Sequence, residues 1–187
     1  MEVQDRRVKR TQRLLAQALI ELTLERGYET VTIRDITERA DIGYATFFRH
    51  YTDKDALLHE VLEVVLDELL LLIQPFKADS DPASVGTLLF RYVQEHSEVC
   101  RVLLSSRGSA ALVQKMITAG TRNVLQQHTP AEQSSIPIEI AAHHIVASSI
   151  ALIQWWLEHN LAYPPEQMGA IYRDLIVRPT QAVAFSD

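Results

Sequence analysis

The residues with the clearest chemical pattern lie between Thr32 and Lys54, in the stretch TIRDITERADIGYATFFRHYTDK. It is rich in hydroxyl, phenol, guanidinium and imidazole groups, which donate hydrogen bonds to phosphate oxygens and to the edges of bases. A nucleophile elbow, a phosphate-binding glycine loop, a metal triad and a paired-carboxylate motif are all absent from the sequence. The stretch therefore indicates contact with DNA, and an all-α enzyme is kept only as the weaker alternative.

Two short helices joined by a tight turn are the elements that must position these groups. Thr32 is the predicted N-cap of the first helix, with Asp35 three residues later as in a capping box, and this helix runs to Ala40. Asp41-Ile42-Gly43 then breaks it. Gly43 is expected either to cap the next helix or to adopt a backbone conformation that other residues resist.

The second helix is expected to run from Tyr44 to Tyr51, about two turns. Ala45 and Phe48 are expected to pack inward, with Phe47 as a further candidate for the inner face, and Tyr44, Thr46, Arg49 and His50 stay outside as donors. This composition is typical of a helix-turn-helix at about residues 31–50, whose second helix lies in the major groove of DNA.

The charge distribution favours the same interpretation, although the net charge of −6 alone argues against a nucleic-acid binder. Residues 1–59 carry ten Lys and Arg against ten Asp and Glu, and residues 60–187 carry eight against fourteen, so the acidity belongs to the second part. A basic cluster precedes the first helix pattern and can meet phosphates; a solvated helix start is the alternative. The cluster consists of Arg6, Arg7, Lys9, Arg10 and Arg13.

The composition is that of a folded globular protein, with 47% hydrophobic residues, six Gly and seven Pro among 187 residues. No apolar run reaches the roughly eighteen residues that span a bilayer, and the N-terminus has no apolar signal core, so we expect a cytoplasmic protein without a membrane partner. The single Cys100 excludes an intrachain disulfide and has no partners at metal-ligand spacing. We expect neither a metal site nor a cofactor.

Helical periodicity extends through the rest of the chain. The first helix is predicted from about Val8 to Arg26, with Gly27 in the position after its end. A long helix is predicted at 54–74, with Asp53 as N-cap; it is apolar on most of its circumference and is therefore expected to connect two cores. Further helices are predicted at about 82–96, 98–105, 110–128 and 138–160, and a last one begins at about Pro165.

No segment alternates with period two, so the predicted fold class is all-α, with about nine helices. The predicted domains are a three-helix DNA-binding domain at 1–53 and a regulatory and dimerisation domain at 54–187. The apolar helix at 138–160 needs partners on more than one face, which favours dimerisation through the last two helices; a central core helix of a monomer is the alternative. The expected dimer residues are Ile145, Ser149, Leu152, Trp156, Met168, Ile171, Tyr172 and Leu175.

The first third of the chain resembles the TetR family of bacterial transcriptional regulators. The resemblance lies in TIRDI at 32–36, ADIGYATFFRHY at 40–51 and KDALL at 54–58. The family usually has Gly at position 41, Ser at 43, Gly at 45 and Tyr at 48, where this chain has Asp, Gly, Ala and Phe. Phe48 cannot offer the hydroxyl that the family's Tyr can give to a phosphate.

The resemblance implies that Thr46, His50 and Lys54 approach the DNA backbone and that Tyr44 contacts a base edge. Three residues have simpler alternatives: His50 can be a surface histidine, Tyr51 can belong to the core, and Arg34 can pair with Glu38. The full set of expected DNA-binding residues is Arg6, Arg7, Lys9, Arg10, Thr32, Arg34, Gly43, Tyr44, Thr46, Phe47, Arg49, His50, Tyr51 and Lys54.

The resemblance also implies a homodimeric regulator, most often a repressor, that binds double-stranded DNA at a palindrome and is released by a small-molecule effector. Control by a protein partner is the alternative, and an enclosed cavity in the second domain would favour the small molecule. The candidate ligand-binding residues are aromatic or polar groups within apolar helices, with a core role as the alternative for Phe90 and Trp155. They are Phe90, Arg107, His143, Gln154 and Trp155.

Overall fold

The computed structural model describes residues 2–73, 80–105, 109–131 and 134–185, and within these ranges the chain is helical with no strand. The helices are α1 (Glu2–Arg26), α2 (Ile33–Arg39), α3 (Tyr44–Phe47), α4 (Lys54–Ile73), α5 (Pro82–Glu95), α6 (Ser97–Ser105), α7 (Ser109–Gln127), α8 (Ile138–Glu158), α9 (Pro165–Tyr172) and α10 (Arg178–Ala184). A 3-10 turn (Tyr28–Thr30) follows α1, and a π-helical segment (Arg173–Val177) joins α9 to α10. Counting α9, this segment and α10 as one helix gives nine helices in the described ranges, which confirms the all-α prediction.

The chain forms two compact units. The first contains Met1–Val65 and Glu98–Leu112, and the second contains Leu66–Ser97 and Val113–Asp187. Helix α4 contributes residues to both units, because the division between them falls after Val65. The return of Glu98–Leu112 to the first unit is not a feature that the sequence pattern indicated, and the functional boundary after residue 53 stays a prediction.

In the first unit, α1 buries a stripe of Leu15, Leu19 and Leu22. The helix begins at Glu2 rather than near Val8, so the basic cluster lies on the helix itself instead of ahead of it. Gly27 ends α1 with a φ of 83°, a conformation that favours glycine, and its N–H donates to the carbonyl of Thr23 at 2.8 Å.

A capping box begins α2 as the sequence predicted. The Asp35 N–H donates to Thr32 Oγ1 at 3.2 Å, and the Thr32 N–H donates to Asp35 Oδ2 at 2.8 Å. Arg26 Nη2 also lies 2.6 Å from Asp35 Oδ2, and this ion pair together with the Thr32 hydrogen bonds lowers the pKa of the Asp35 carboxyl. The end of α1 is thereby joined to the start of α2.

The second unit is built around α8. Its buried face includes Ala142, Ile145, Ile153 and Trp156, and Phe90 of α5 meets the Trp156 ring edge-on at 5.2 Å between centroids. By length and composition α8 would also pass for a membrane-spanning helix, with 44% of its most apolar window buried. Core helices of soluble proteins pass the same test, so this property adds no membrane function.

Helices α5 and α9 cross at two glycines. A Cβ atom on Gly86 would lie 3.0 Å from the Gly169 Cα and 2.6 Å from Cδ1 of Tyr172, so Gly86 has no room for a side chain. Asp81 caps α5 by accepting hydrogen bonds from the N–H groups of Ala83 and Ser84, with Pro82 in the first turn as predicted.

The capping box gives the first stability prediction. Thr32→Ala removes the acceptor of the Asp35 N–H and is expected to lower the free energy of unfolding by about 1 kcal/mol. Thr52→Ala is the matched control, because Thr52 is exposed and lies outside the helices. Urea unfolding followed by circular dichroism measures both, and equal effects of the two changes would contradict the capping role.

Candidate nucleic-acid interface and ligand cavity

The turn between α2 and α3 places its unusual backbone at Asp41 and not at Gly43. Asp41 has a φ of 53°, in the left-handed region, whereas Gly43 has an ordinary φ of −60°. The N–H of Ile42 donates to the Thr37 carbonyl at 2.9 Å, which closes the end of α2. Aspartate tolerates the left-handed region better than most residues, so this chain makes the turn without a glycine there. Of the two roles expected for Gly43, the structure shows the first, because Gly43 is the N-cap residue of α3.

Helix α3 is shorter than the two turns predicted: it spans Tyr44–Phe47 and continues as hydrogen-bonded turns to His50. Phe47 is fully buried, so its side chain belongs to the core and its expected contact with DNA is corrected. Ala45 and Phe48 were expected to pack inward, but Ala45 is exposed and Phe48 is 48% exposed. The inward and outward faces of α3 are therefore set by Phe47.

Two exposed aromatic rings form the centre of the outer face. Tyr44 is 55% exposed, and its ring meets Phe48 edge-on at 5.3 Å between centroids. Sequence reasoning missed Phe48 as a surface residue; its i, i+4 spacing from Tyr44 was the available signal. An exposed phenol beside an apolar ring can donate a hydrogen bond to a base edge and pack on a thymine methyl group.

The charged residues around this face differ in availability. Arg34 pairs with Glu38 through Nε and Oε1 at 3.0 Å, as the simpler alternative for Arg34 proposed, although both side chains remain largely exposed. Arg49 is exposed, whereas Thr46 and His50 are half-buried. A surface groove of about 820 Å³ beside Tyr44 is lined by Arg34 but also by the acids Glu38 and Asp41. Among the described residues that line this groove, Arg34 is therefore the one cation that could meet a phosphate, and two acids lie beside it.

Two expected DNA-contacting residues are occupied inside the first unit. The Tyr51 hydroxyl donates to Glu60 Oε1 at 2.8 Å, and Tyr51 is only 5% exposed; burial and this partner raise the pKa of Tyr51. Lys54 Nζ donates to the carbonyls of Tyr28 and Val31 at 2.9 and 3.0 Å and lies over the Tyr28 ring. Both side chains tie α4 to the preceding segments, and their expected contact with DNA is corrected.

Thr32 and the basic cluster on α1 differ in how freely their side chains could contact DNA. Thr32 is engaged in its capping box, with its hydroxyl also donating to Asp35 at 2.6 Å. Arg6, Arg7, Lys9 and Arg10 are exposed on the first turns of α1, and residues 6, 10 and 13 recur at helical spacing. A helix-borne row of cations offers fixed spacing to a phosphate backbone, which an unstructured segment would not.

The second unit contains an apolar cavity of about 160 Å³. Its walls come from α4, α5, α7 and α8, and Tyr172 at the end of α9 completes them. None of the predicted ligand-binding residues in the described part of the chain lines it. Phe90 is fully buried in the core, His143 is exposed, and Gln154 is half-buried. Trp155 is 42% exposed and stacks on His159 at 4.2 Å between centroids. Arg107 lies outside the described residues.

Three residues expected at a dimer interface line this cavity instead, namely Ile145, Ser149 and Tyr172. Trp156 and Met168 are fully buried in the core of their own chain, so they cannot face a partner. The sequence pattern could not separate these positions, because all lie on largely apolar helices. Of the expected set, Leu175 is 67% exposed, and Leu152 and Ile171 are half-buried.

The single cysteine of the chain is buried. Burial raises the pKa of the Cys100 thiol to about 12, so it stays protonated and unreactive near neutral pH. Among the described residues, no group of three or more His, Cys, Asp or Glu side chains could hold a metal ion.

Two family models match the chain, each over part of its length. The model described as bacterial regulatory proteins, tetR family, matches residues 15–61, and the model described as transcriptional regulator C-terminal region matches residues 81–178. The first match contains α2, the turn and α3. The second contains most of the helices that form the cavity.

A relative with a similar sequence is also described as a transcriptional regulator. An uncharacterised HTH-type transcriptional regulator of Bacillus subtilis, YxbF, is 27% identical over 170 residues, which are 88% of this chain and 44% of that protein. This chain therefore spans less than half the length of that relative.

Solved structures share the fold. A putative TetR-family regulator from Syntrophomonas wolfei has a TM-score of 0.73 at 17% identity, with 92% of this chain and 95% of that chain covered. SmeT, the repressor of the multidrug efflux pump SmeDEF of Stenotrophomonas maltophilia, has a TM-score of 0.68 at 16% identity in a complex with triclosan, with 95% and 92% covered. At these identities the likeness shows the fold.

The buried Tyr51 hydroxyl gives the second prediction. Tyr51→Phe removes the hydrogen bond to Glu60 and is expected to lower the free energy of unfolding by about 1 kcal/mol, without changing affinity for DNA. Tyr44→Phe is the matched control and is expected to leave stability unchanged, because the Tyr44 ring is largely exposed. Chemical unfolding and DNA titration measure the two effects. Weaker DNA binding by the Tyr51 variant at unchanged stability would return Tyr51 to the interface.

Proposed function

Because the chain belongs to the TetR family of transcriptional regulators, we propose that it is a repressor that binds a palindromic operator as a homodimer and is released by a small molecule. The observation that carries the DNA-binding part is the outward face of α3, where Tyr44 and Phe48 are both about half exposed at the end of a capped helix-turn-helix. Members of this family regulate transcription and are not enzymes, so the enzyme alternative is set aside.

DNA recognition divides between two groups of side chains. Tyr44 reads base edges in the major groove, since it lies at the start of the recognition helix and is the most exposed aromatic residue of that helix. Arg49 and the basic cluster on α1 contact phosphates, which orients the protein without selecting a sequence. Arg26 and Arg39 are not assigned to DNA phosphates, because each is paired with an acidic side chain of the first unit.

A second copy of the chain supplies the symmetry that a palindrome requires. Three large apolar side chains, Ile140 of α8, Leu175 of the π-helical segment and Val183 of α10, are 60%, 67% and 50% exposed. Exposed apolar surface on the last helices supports dimerisation there. A two-fold dimer then presents two recognition helices about 34 Å apart, one turn of DNA.

The cavity of the second unit supports a small-molecule effector over control by a protein partner, because a filled core would have left no space for a ligand. For the effector to release DNA, it must bind better to the arrangement that fits the operator poorly. Helix α4 is the proposed route, since it contributes residues to the cavity and to the first unit. Such a regulator acts in the cytoplasm.

Selection of genomic fragments by the purified protein tests the function as a whole. An enriched palindrome with half-sites one helical turn apart, bound by a dimer, is the expected result. A protein that stays monomeric and retains no fragment above a random competitor at moderate ionic strength would overturn the proposal.

Base reading by Tyr44 gives the third prediction. Tyr44→Ala is expected to weaken binding to the selected fragment about tenfold or more while binding to random duplex changes little, because one base contact contributes about 1–3 kcal/mol of discrimination. Competition binding on both duplexes measures the ratio. Tyr163→Ala, which removes an exposed tyrosine of the second unit, is the control. Equal losses on both duplexes would assign Tyr44 to the DNA backbone.

The basic cluster gives the fourth prediction, concerning salt dependence. Replacing the first four of the five residues of the cluster by Ala is expected to weaken binding to every duplex. It is also expected to reduce the slope of log affinity against log salt by about 0.9 for each lost phosphate contact. The helix should persist, since alanine favours it. Arg122→Ala with Arg178→Ala, two exposed arginines of the second unit, is the control. An unchanged slope would leave the cluster as a solvated helix face. The four residues are Arg6, Arg7, Lys9 and Arg10.

A further inference from the structure

Among the residues that the structure describes, the wall of the cavity in the second unit carries no charge. Sixteen of these described residues line it, and none is Asp, Glu, Lys, Arg or His. Thirteen of them offer only aliphatic groups, a thioether or a glycine, among them Leu69, Met116 and Ile153. A carboxylate or ammonium entering such a site would lose its water without gaining an opposite charge, which is strongly unfavourable. The wall therefore selects against ions of either sign.

The size of the cavity limits what fits inside it. Its volume is about 160 Å³. An engineered cavity of about 150 Å³ with an aliphatic and aromatic wall binds benzene. One six-membered ring is therefore the amount of apolar ligand that this volume holds, and a longer ligand would extend through the side of the cavity that is open to solvent.

Three of the described lining residues carry polar side-chain groups, namely Asn123, Ser149 and Tyr172. The Ser149 hydroxyl already donates to the Ile145 carbonyl, and Asn123 Oδ1 accepts a hydrogen bond from Gln127. The Tyr172 hydroxyl has no hydrogen-bond partner among the described residues. Burial raises the pKa of Tyr172 to about 12, so the phenol stays protonated and keeps a hydrogen to donate.

The position of Tyr172 is fixed by its surroundings. Its ring packs where a side chain on Gly86 would stand, with only 2.6 Å between the Tyr172 Cδ1 and a Cβ built on Gly86. The regular helix also ends at Tyr172, since the following five residues form the π-helical segment Arg173–Val177. Segments of this kind are rare and occur frequently at functional sites.

We propose that the cavity binds an uncharged, mainly apolar molecule with one six-membered ring and one oxygen-containing polar group, which hydrogen-bonds to the Tyr172 hydroxyl. The inference rests on the proposed function in one respect: it names the class of effector whose binding would release DNA. It adds the exclusion of ions, the size limit and the orienting residue.

Four ring-sized probes test the selectivity of the cavity in the full-length chain at pH 7: phenol, benzene, benzoate and benzylammonium. Calorimetric titration and the rise in unfolding temperature at millimolar probe measure binding. Phenol and benzene are expected to bind, and the two ions at least tenfold more weakly than phenol. Binding of either ion as tightly as phenol, or no binding of phenol, would overturn the proposal.

Variants distinguish the contribution of the Tyr172 hydroxyl to probe binding from the contribution of the cavity's shape. Tyr172→Phe keeps the ring beside Gly86 and is expected to weaken phenol binding about tenfold or less while benzene binding is retained. Ala119→Leu places a larger side chain in the cavity wall and is expected to abolish binding of both probes. Ala162→Leu, at an exposed position outside the helices, is the matched control and should change neither. Equal loss of phenol and benzene in Tyr172→Phe would show that Tyr172 acts only through packing.

Failure of this inference and failure of the proposed function give different results. If the chain selects a palindrome but phenol does not bind, the effector class is wrong and the DNA-binding function stands. If phenol binds with the expected variant pattern but the selected fragment is not released, the cavity assignment stands and effector-controlled release is wrong. Fluorescence anisotropy of the labelled fragment during the phenol titration distinguishes the two.

Discussion

Burial of Phe47 is the constraint on which the candidate DNA interface depends. A helix of four residues cannot hold its own orientation, because helix formation becomes favourable only over several turns. At about 100° per residue, Tyr44 and Phe48 lie only about 40° apart around the helix, so both rings flank the buried Phe47 on the same side and are about half exposed. The recognition surface is therefore a consequence of core packing, and its exposed rings are held at the position that the buried ring fixes.

Polar contacts in the first unit hold the segments that carry this surface. Arg39 pairs with Glu21 and Glu25 at 3.2 and 2.8 Å and joins the last turn of α2 to α1. The hydrogen bonds and charge of Arg39 lower the pKa of the Glu25 carboxyl. Such exposed pairs contribute little stability individually. Their use here is geometric, because they fix the register of α2 on the helix that carries the basic cluster.

The second unit combines a tight contact with an unfilled volume. Where α5 crosses α9, two glycines bring the helices to a separation that any side chain would prevent. The neighbouring cavity leaves about 160 Å³ without side-chain atoms. An unfilled apolar volume is consistent with a site that a ligand fills, and the crossing beside it keeps Tyr172 in the wall.

The sequence by itself determined the secondary-structure elements of this protein. The capping box at Thr32, the stop at Gly27 and the helical periodicity are local patterns, and each depends on residues within one or two turns. Only the tertiary structure decided which side of each helix faces inward. Tyr51 and Lys54 are of residue types that often contact phosphates. In the structure Tyr51 donates to Glu60 of α4, and Lys54 donates to Tyr28 and Val31, which lie 26 and 23 residues earlier in the chain. Likewise Ile145 and Trp156 belong to one apolar helix, and the position of a cavity beside one and a packed ring beside the other depends on how several helices fill the space between them.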